Sequence, residues 1–188
     1  MTNRRRLMGL GAALAGLTLA GCQQAPGVDA AAMQHVIDRV AIEDLLDDYY
    51  ANFGGSANED FAKYYTEDAT FDVNGLIYHG HKEIVGLYDT LGDQDALPPG
   101  TFHMLVTNPQ IKIDGDTATA KVLWTGVMND KIDGPPHFQE QGREYDLLVK
   151  QDGKWLIKKR VVIADSGLPK MFRKTYTPRK DFDVTKED

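Results

Sequence analysis

The sequence predicts an α+β domain in which three N-terminal helices cover one face of a curved antiparallel sheet and enclose a pocket. Apolar residues recur at helical spacing only in the first part of the chain, and Asn74-Gly75 marks a tight hairpin between two short apolar runs. From residue 102 onward the period switches to two, through four long segments joined by glycine-containing turns.

The elements follow in chain order. Over 34–53, Val36, Ile37, Val40, Ala41, Asp44, Leu45 and Tyr49 recur at three- and four-residue spacing and predict a helix, stopped by Gly54-Gly55-Ser56. "SANEDFAKYY" (56–65) offers a capping Ser or Asn and acidic first-turn residues for a second, short helix. "ATFDVNGLIYH" (69–79) is the hairpin, and Gly80 opens a third helix over roughly 82–92. Strands are expected near 102–113, 117–128, 142–150 and 154–164, with 129–141 as a longer loop carrying Pro135 and Pro136. A curved sheet under helices leaves a cavity between the layers, and function is expected there.

The first residues read as an address rather than as part of this domain. Arg4, Arg5 and Arg6 precede an apolar run from Leu7 to Ala20, too short for a permanent membrane span. Leu19-Ala20-Gly21-Cys22 resembles the lipobox of bacterial lipoproteins. That resemblance implies cleavage after residue 21, acylation of Cys22 (a palmitate-type chain), and a lipid-anchored protein on the periplasmic side of a bacterial membrane. Gln23 stands where an inner-membrane retention signal would place aspartate, which favours the outer membrane. Asn3 to Met8 fits a twin-arginine signal and a plain basic leader equally. The chain then divides into a signal at 1–21, a lipidated tether at 22–33, a folded domain at 34–164 and a tail at 165–188.

Loss of residues 1–21 removes three arginines and no acid, moving the formal charge from −7 to about −10. An acidic domain is a poor partner for nucleic acid. Cys22 is the only cysteine, so its acylation leaves no thiol for a disulfide, a metal or a nucleophile. No phosphate loop, nucleophile elbow or Cys/His cluster is present.

"AIEDLLDDYYANF", "YYTEDATFDVNG", "GTFHMLVTNPQIKIDGDTATAKV" and "YDLLVKQDGKWLIKKR" together resemble the SnoaL-like group of the NTF2-like superfamily over about residues 36–163. The resemblance implies a cone-shaped α+β fold with a pocket in the cone, commonly a homodimer or homotrimer. Relatives include scytalone dehydratase, ketosteroid isomerase, polyketide cyclases and cofactor-free lyases of lignin-derived diaryl compounds; others only bind ligands or partners. His103 falls where scytalone dehydratase has a pocket histidine. That enzyme's Tyr-Asp pair after the first helix is replaced here by Phe53-Gly54, and its Ser and Asn on the next-to-last strand fall at about Gly142 and Glu144. These departures argue against scytalone dehydration itself.

The expected catalytic residues are His103, Asp44, Tyr49 and Glu144. The His103 imidazole suits proton transfer near neutral pH, against the alternative of a solvent-facing strand histidine. Asp44 sits on the stripe expected to be buried, where an unpaired carboxylate titrates high, against the alternative that the stripe is wider than the core and Asp44 lies at its wet edge. One of Tyr49 and Tyr50 should point inward and offer a hydroxyl to a developing oxyanion. Strand alternation separates Tyr145, Leu147 and Val149 from Glu144, Asp146 and Lys150. Apolar content places Tyr145 inside and the family resemblance places Glu144 inside, which leaves the choice open. Tyr50, Asp72, Trp124, Tyr145 and Asp146 complete the expected pocket. His79 and His81 lack a third ligand at readable spacing, so no metal site is expected. Lys158, Lys159 and Arg160 read as a solvated strand end.

The inventory suits a cofactor-free lyase, dehydrating a small hydrophobic aromatic hydroxylated compound or releasing formaldehyde from it. A non-catalytic lipoprotein that binds such a ligand, and an assembly factor using the open sheet face, are the alternatives. The tail "LPKMFRKTYTPRK" mixes apolar and basic residues. Its composition fits a cover over the pocket mouth, a contact with an adjacent subunit, or a disordered end.

Overall fold

The computed structural model describes residues 29–53, 58–93, 101–178 and 182–186. The expected signal at 1–21 and the lipidation point Cys22 lie outside them. The elements are α1 (Ala30–Ala51), a 3-10 segment (Asn58–Tyr64), β1 (Tyr65–Val73), β2 (Leu76–His79), α2 (Gly80–Asp93), β3 (Thr101–Asp114), β4 (Thr117–Asn129), β5 (His137–Gln151), β6 (Lys154–Ser166) and a short 3-10 turn (Lys170–Phe172). Among the described residues, the expectation of three helices is corrected to two α-helices with a 3-10 segment between them. The expected loop at 129–141 is also shorter, because β5 already begins at His137.

α1 starts at Ala30, ahead of the expected residue 34, because the Asp29 carboxylate caps it by accepting from the Ala31 N–H at 3.1 Å. The helix is apolar on two roughly opposite sides, at ~100° per residue. Ile42, Leu46, Tyr49 and Tyr50 are buried against the sheet, whereas Met33, Val36, Ile37 and Val40 are 45–55% exposed. The buried side carries one acid, Asp38, which accepts from Lys150 Nζ at 2.6 Å and Trp155 Nε1 at 3.0 Å and so ties the helix to β5 and β6.

Asn74 (φ 53°) and Gly75 (φ 88°) make the two-residue turn between β1 and β2, and both need the left-handed region that Asn and Gly tolerate. The turn is fastened to β6, since Asn74 N–H donates to Val162 O and Asn74 Oδ1 accepts from Ala164 N–H at 2.8 Å. The sheet has six strands in the order β2-β1-β6-β5-β4-β3. β3 to β6 form the expected antiparallel meander, but β1 joins β6 in parallel, so the sheet is mixed rather than wholly antiparallel. Register shifts at Thr107/Gln110, Gly126/Val127, Gln141/Gly142 and Leu147/Leu148 supply bulges that bend the strands. The main core fills the concave face under α1 and α2. A smaller cluster on the convex face packs Tyr145, Val161 and Ile163 under Val184 and Phe182 of the tail.

Candidate functional site

The concave sheet, the two helices and residues 167–173 enclose a cavity of about 970 Å³. Tyr49, Tyr50, Phe53, Phe71, Tyr88, Trp124 and Phe172 supply ring walls, and Val73, Leu87, Met104, Val162, Leu168 and Met171 fill between them. Such a wall takes an apolar, ring-bearing molecule, and the few polar groups in it set orientation.

The deepest polar group is Glu144, 1% exposed, on the inward face of β5. Its Oε2 accepts from the Tyr50 hydroxyl at 2.5 Å. Behind it Arg160, fully buried, gives both Nε (2.7 Å) and Nη2 (3.2 Å) to Asp146. Arg160 Nη2 also lies 3.0 Å from Glu144 Oε1, but without hydrogen-bond alignment, so Oε1 keeps no hydrogen-bond partner among the described residues. The guanidinium rests over the Tyr49 ring at 4.0 Å, a cation–π contact between two buried groups. One cation thus faces two carboxyls: its Nε and Nη2 hold Asp146, and its Nη1 keeps no hydrogen-bond partner among the described residues. If both carboxyls were ionised the buried cluster would carry a net negative charge. Burial first, and the neighbouring Asp146 charge after it, hold the Glu144 carboxyl well above the ordinary range, against the pull of Arg160. Both effects favour the protonated carboxyl, with Tyr50 on one oxygen and Arg160 placed to meet the charge that proton loss would create. Burial also pushes the Tyr50 hydroxyl up.

Glu140 sits four residues along the same face. Burial alone pushes its carboxyl up to about 7. Gly126 opposite and Gly167 on the tail leave room for it, since a Cβ at either would come within 2.8 Å or less of its side chain. Gly142 performs the same service for Trp124, whose indole lies where a Cβ would be 2.4 Å away. Trp124 Nε1 is buried with no hydrogen-bond partner among the described residues.

The expected residues divide. Tyr49, Tyr50, Trp124 and Glu144 line the cavity. Both tyrosines point inward, and the Tyr49 hydroxyl pairs with that of Tyr88 at 2.6 Å. Glu144 rather than Tyr145 faces the cavity; Tyr145 is buried on the convex side against Phe182. Asp146 is inside but behind Glu144, as the partner of Arg160. Asp72 is buried at the hairpin, where it accepts from Gly75 N–H at 2.8 Å and holds the turn instead of lining the main cavity. His103 is corrected outward: it is exposed on the convex face of β3, and its neighbour Met104 takes the inward position. Asp44 is likewise exposed, because the stripe to which it belongs is the outer side of α1. The His81 ring nitrogen is engaged with Tyr65 O at 2.9 Å.

Arg160, Glu140 and Asp38 were not singled out as site residues by the sequence pattern, whereas a tail lying over the pocket mouth was one of the readings of its composition. Arg160 is the instructive case. Leu148 opposes Ile157 whereas Leu147 opposes Lys159, so Lys158 is an extra residue in β6. This bulge reverses the alternation set by Trp155 and Ile157 and turns Arg160 inward, away from the solvated strand end expected for it.

The comparisons with known proteins agree with this architecture. A SnoaL-like domain family model matches residues 34–161. No curated protein matches the chain. Among solved structures, a variant of a Mycobacterium tuberculosis protein of unknown function shares 24% identity, covering 74% of this chain and 78% of its own, with a TM-score of 0.63. An NTF2-like protein with a cystatin-like fold from Novosphingobium aromaticivorans shares 18% identity over 79% of this chain and 94% of its own (TM-score 0.62). A provisionally assigned scytalone dehydratase from the same organism shares 16% identity over 84% and 99% (TM-score 0.60). These likenesses establish the fold, and the family match over most of the folded domain shows that the chain belongs to the SnoaL-like domain family.

Proposed function

We propose that the protein is a cofactor-free acid–base lyase acting on a hydrophobic, aromatic, hydroxylated molecule. The observation that carries the proposal is the buried Glu144, bonded to Tyr50 and backed by Arg160, at the floor of a ring-lined cavity. In a dehydration, Glu144 gives its proton to the leaving hydroxyl, which departs as water as the C–O bond breaks. The carboxylate left behind is then stabilised by Arg160 and by the Tyr50 hydroxyl. The proton lost from the adjacent carbon needs an acceptor, and Glu140, titrating at about 7, is the carboxyl suited to it. Formaldehyde release by a retro-aldol-type cleavage needs the same pair of roles. The cavity volume suits a two-ring compound of the lignin-derived kind, and the chemistry requires no cofactor.

The test is turnover of diaryl diols by the purified domain, followed by product analysis. Glu144→Gln should lower kcat by roughly 10²–10⁴ with little change in fold, since the amide preserves shape and the acceptor for Tyr50. Absence of any turnover, together with tight binding of an unchanged ligand, would favour the second reading, a hydrophobic-ligand-binding lipoprotein. That reading draws support from the exposed position of His103, which leaves the cavity without the histidine expected there.

The protein is further proposed to be anchored through acylated Cys22 on the periplasmic side of the membrane, the outer one favoured, on the strength of the LAGC stretch. Mass spectrometry of the membrane fraction should find an acylated N-terminal peptide beginning at Cys22, and Cys22→Ser should release the protein. A homodimer or homotrimer is proposed as its assembled state. Leu105, Leu123 and Phe138, exposed on the convex sheet face, offer apolar contacts for it, and light scattering would read the mass.

A further inference from the structure

The mouth of the cavity differs in charge from the rest of the protein. The chain as a whole is acidic, at −7, yet residues 168–178 hold three cations and no acid. Two of these, Lys170 and Arg173, line the cavity.

Their segment is fixed to the domain. Phe172 is buried, the Tyr176 hydroxyl donates to Ala164 O at 2.8 Å, and Thr175 O lies where a Cβ on Gly75 would be, 2.3 Å away. The tail is thus seated on the hairpin turn, and the cations stand at the mouth as part of the wall. Among the described residues neither is ion-paired with a carboxylate. Glu140, the acid beside this segment, owes its raised titration to burial alone, with no contribution from a neighbouring cation. Two cations beside a largely apolar cavity, with no carboxylate partner among the described residues, match the charge of something that enters it. Both side chains are exposed, so their attraction for an anion falls as salt rises. Arg173 can in addition present two N–H groups to one planar carboxylate.

We infer that the molecule taken by the cavity is an aromatic carboxylate, its carboxylate held by Lys170 and Arg173 at the mouth and its rings among the tyrosines. The inference rests on the cavity being the ligand site and adds to that reading the charge and orientation of the ligand. With the acid end held at the mouth, the far end of a two-ring molecule is the part that reaches Glu144.

The test is calorimetric titration of the whole chain with 3,3-diphenylpropionate, its methyl ester and dodecanoate at low and high salt. The carboxylate should bind about tenfold tighter than the ester at low salt, and the preference should shrink as salt rises. In the double variant Lys170→Gln/Arg173→Gln that preference should fall to within about twofold while ester affinity holds, which also reports an intact fold. Equal binding of acid and ester by the unaltered protein, or an unchanged preference in the double variant, would overturn the carboxylate assignment and leave the acid–base reading standing. Dodecanoate binding as tightly as the diaryl acid would overturn the aromatic assignment. If neither aryl compound binds, the cavity is not the ligand site and both readings fall. Turnover is not measured here, so an inactive protein that still discriminates acid from ester supports the inference.

Discussion

Glu144 and Glu140 are the same residue type on the same face of the same strand, and they lie four residues apart. At the floor, Glu144 is surrounded by Arg160, Asp146, Tyr50 and the Tyr49 ring, and its proton is the fourth part of a charge arrangement that closes only when it is present. At the mouth, Glu140 has burial but no ionic partner among the described residues, and burial pushes its carboxyl up to about 7. Greater burial is the first difference between the two. The second is that Glu144 lies beside a carboxylate, Asp146, that already holds Arg160. A cavity with a committed acid at one end and a freely titrating carboxyl at the other is equipped for proton transfer across a molecule lying between them.

The sharpest way to break this contrast is to remove the cation. Arg160→Met leaves Asp146 buried without its partner and should cost about 3–5 kcal/mol. For a domain of this size that is a fall in Tm of roughly 10 °C, read by thermal unfolding. A loss below about 1 kcal/mol would mean that the pair is not desolvated as described.

The mouth should respond to pH rather than to loss of a partner. Glu140 in the folded protein titrates above its ordinary value of about 4.5. Its contribution to stability is thus fully present below about 4.5 and is lost as pH rises through about 7. Glu140→Gln should match the parent at pH 4 and exceed it at pH 8 by about 1–2 kcal/mol, allowing for partial exposure. Parallel Tm-versus-pH curves for the two proteins would contradict the assignment. The smallest effect belongs outside the cavity. His103→Ala should leave stability within about 0.5 kcal/mol and turnover within about twofold; a larger loss of turnover would restore the histidine to the mechanism.

Much of the fold was legible because turns and period are local properties. Asn74-Gly75, Asp114-Gly115-Asp116 and Gln151-Asp152-Gly153 mark three hairpin turns by their need for left-handed backbone, and all three stand where expected. The site was legible only in part. α1 is apolar on two sides, so helical spacing alone cannot say which side is buried, and choosing the side of Val36 and Val40 carried Asp44 inward with it. The burial of Asp38 depends on Lys150 and Trp155, more than a hundred residues away in sequence. His103 and Met104 alternate like any strand pair, and the apolar member took the inside. Arg160 was hidden by one extra residue, Lys158, because a bulge has no signature in apolar alternation. Composition offered a tail over the mouth as one of three readings and could not choose it, because the choice depends on Phe172 packing into the core and Tyr176 bonding to β6.

The central claim is that Glu144 holds its proton in the folded protein at neutral pH. Infrared difference spectroscopy against Glu144→Gln measures it directly, through the stretch of a protonated carboxyl. A carboxyl band at pH 7 that is present in the parent and missing from the variant, and that persists well above the ordinary carboxyl range, is the predicted result. Loss of that band between about pH 4 and 5, as for a solvent-exposed glutamate, would contradict the account.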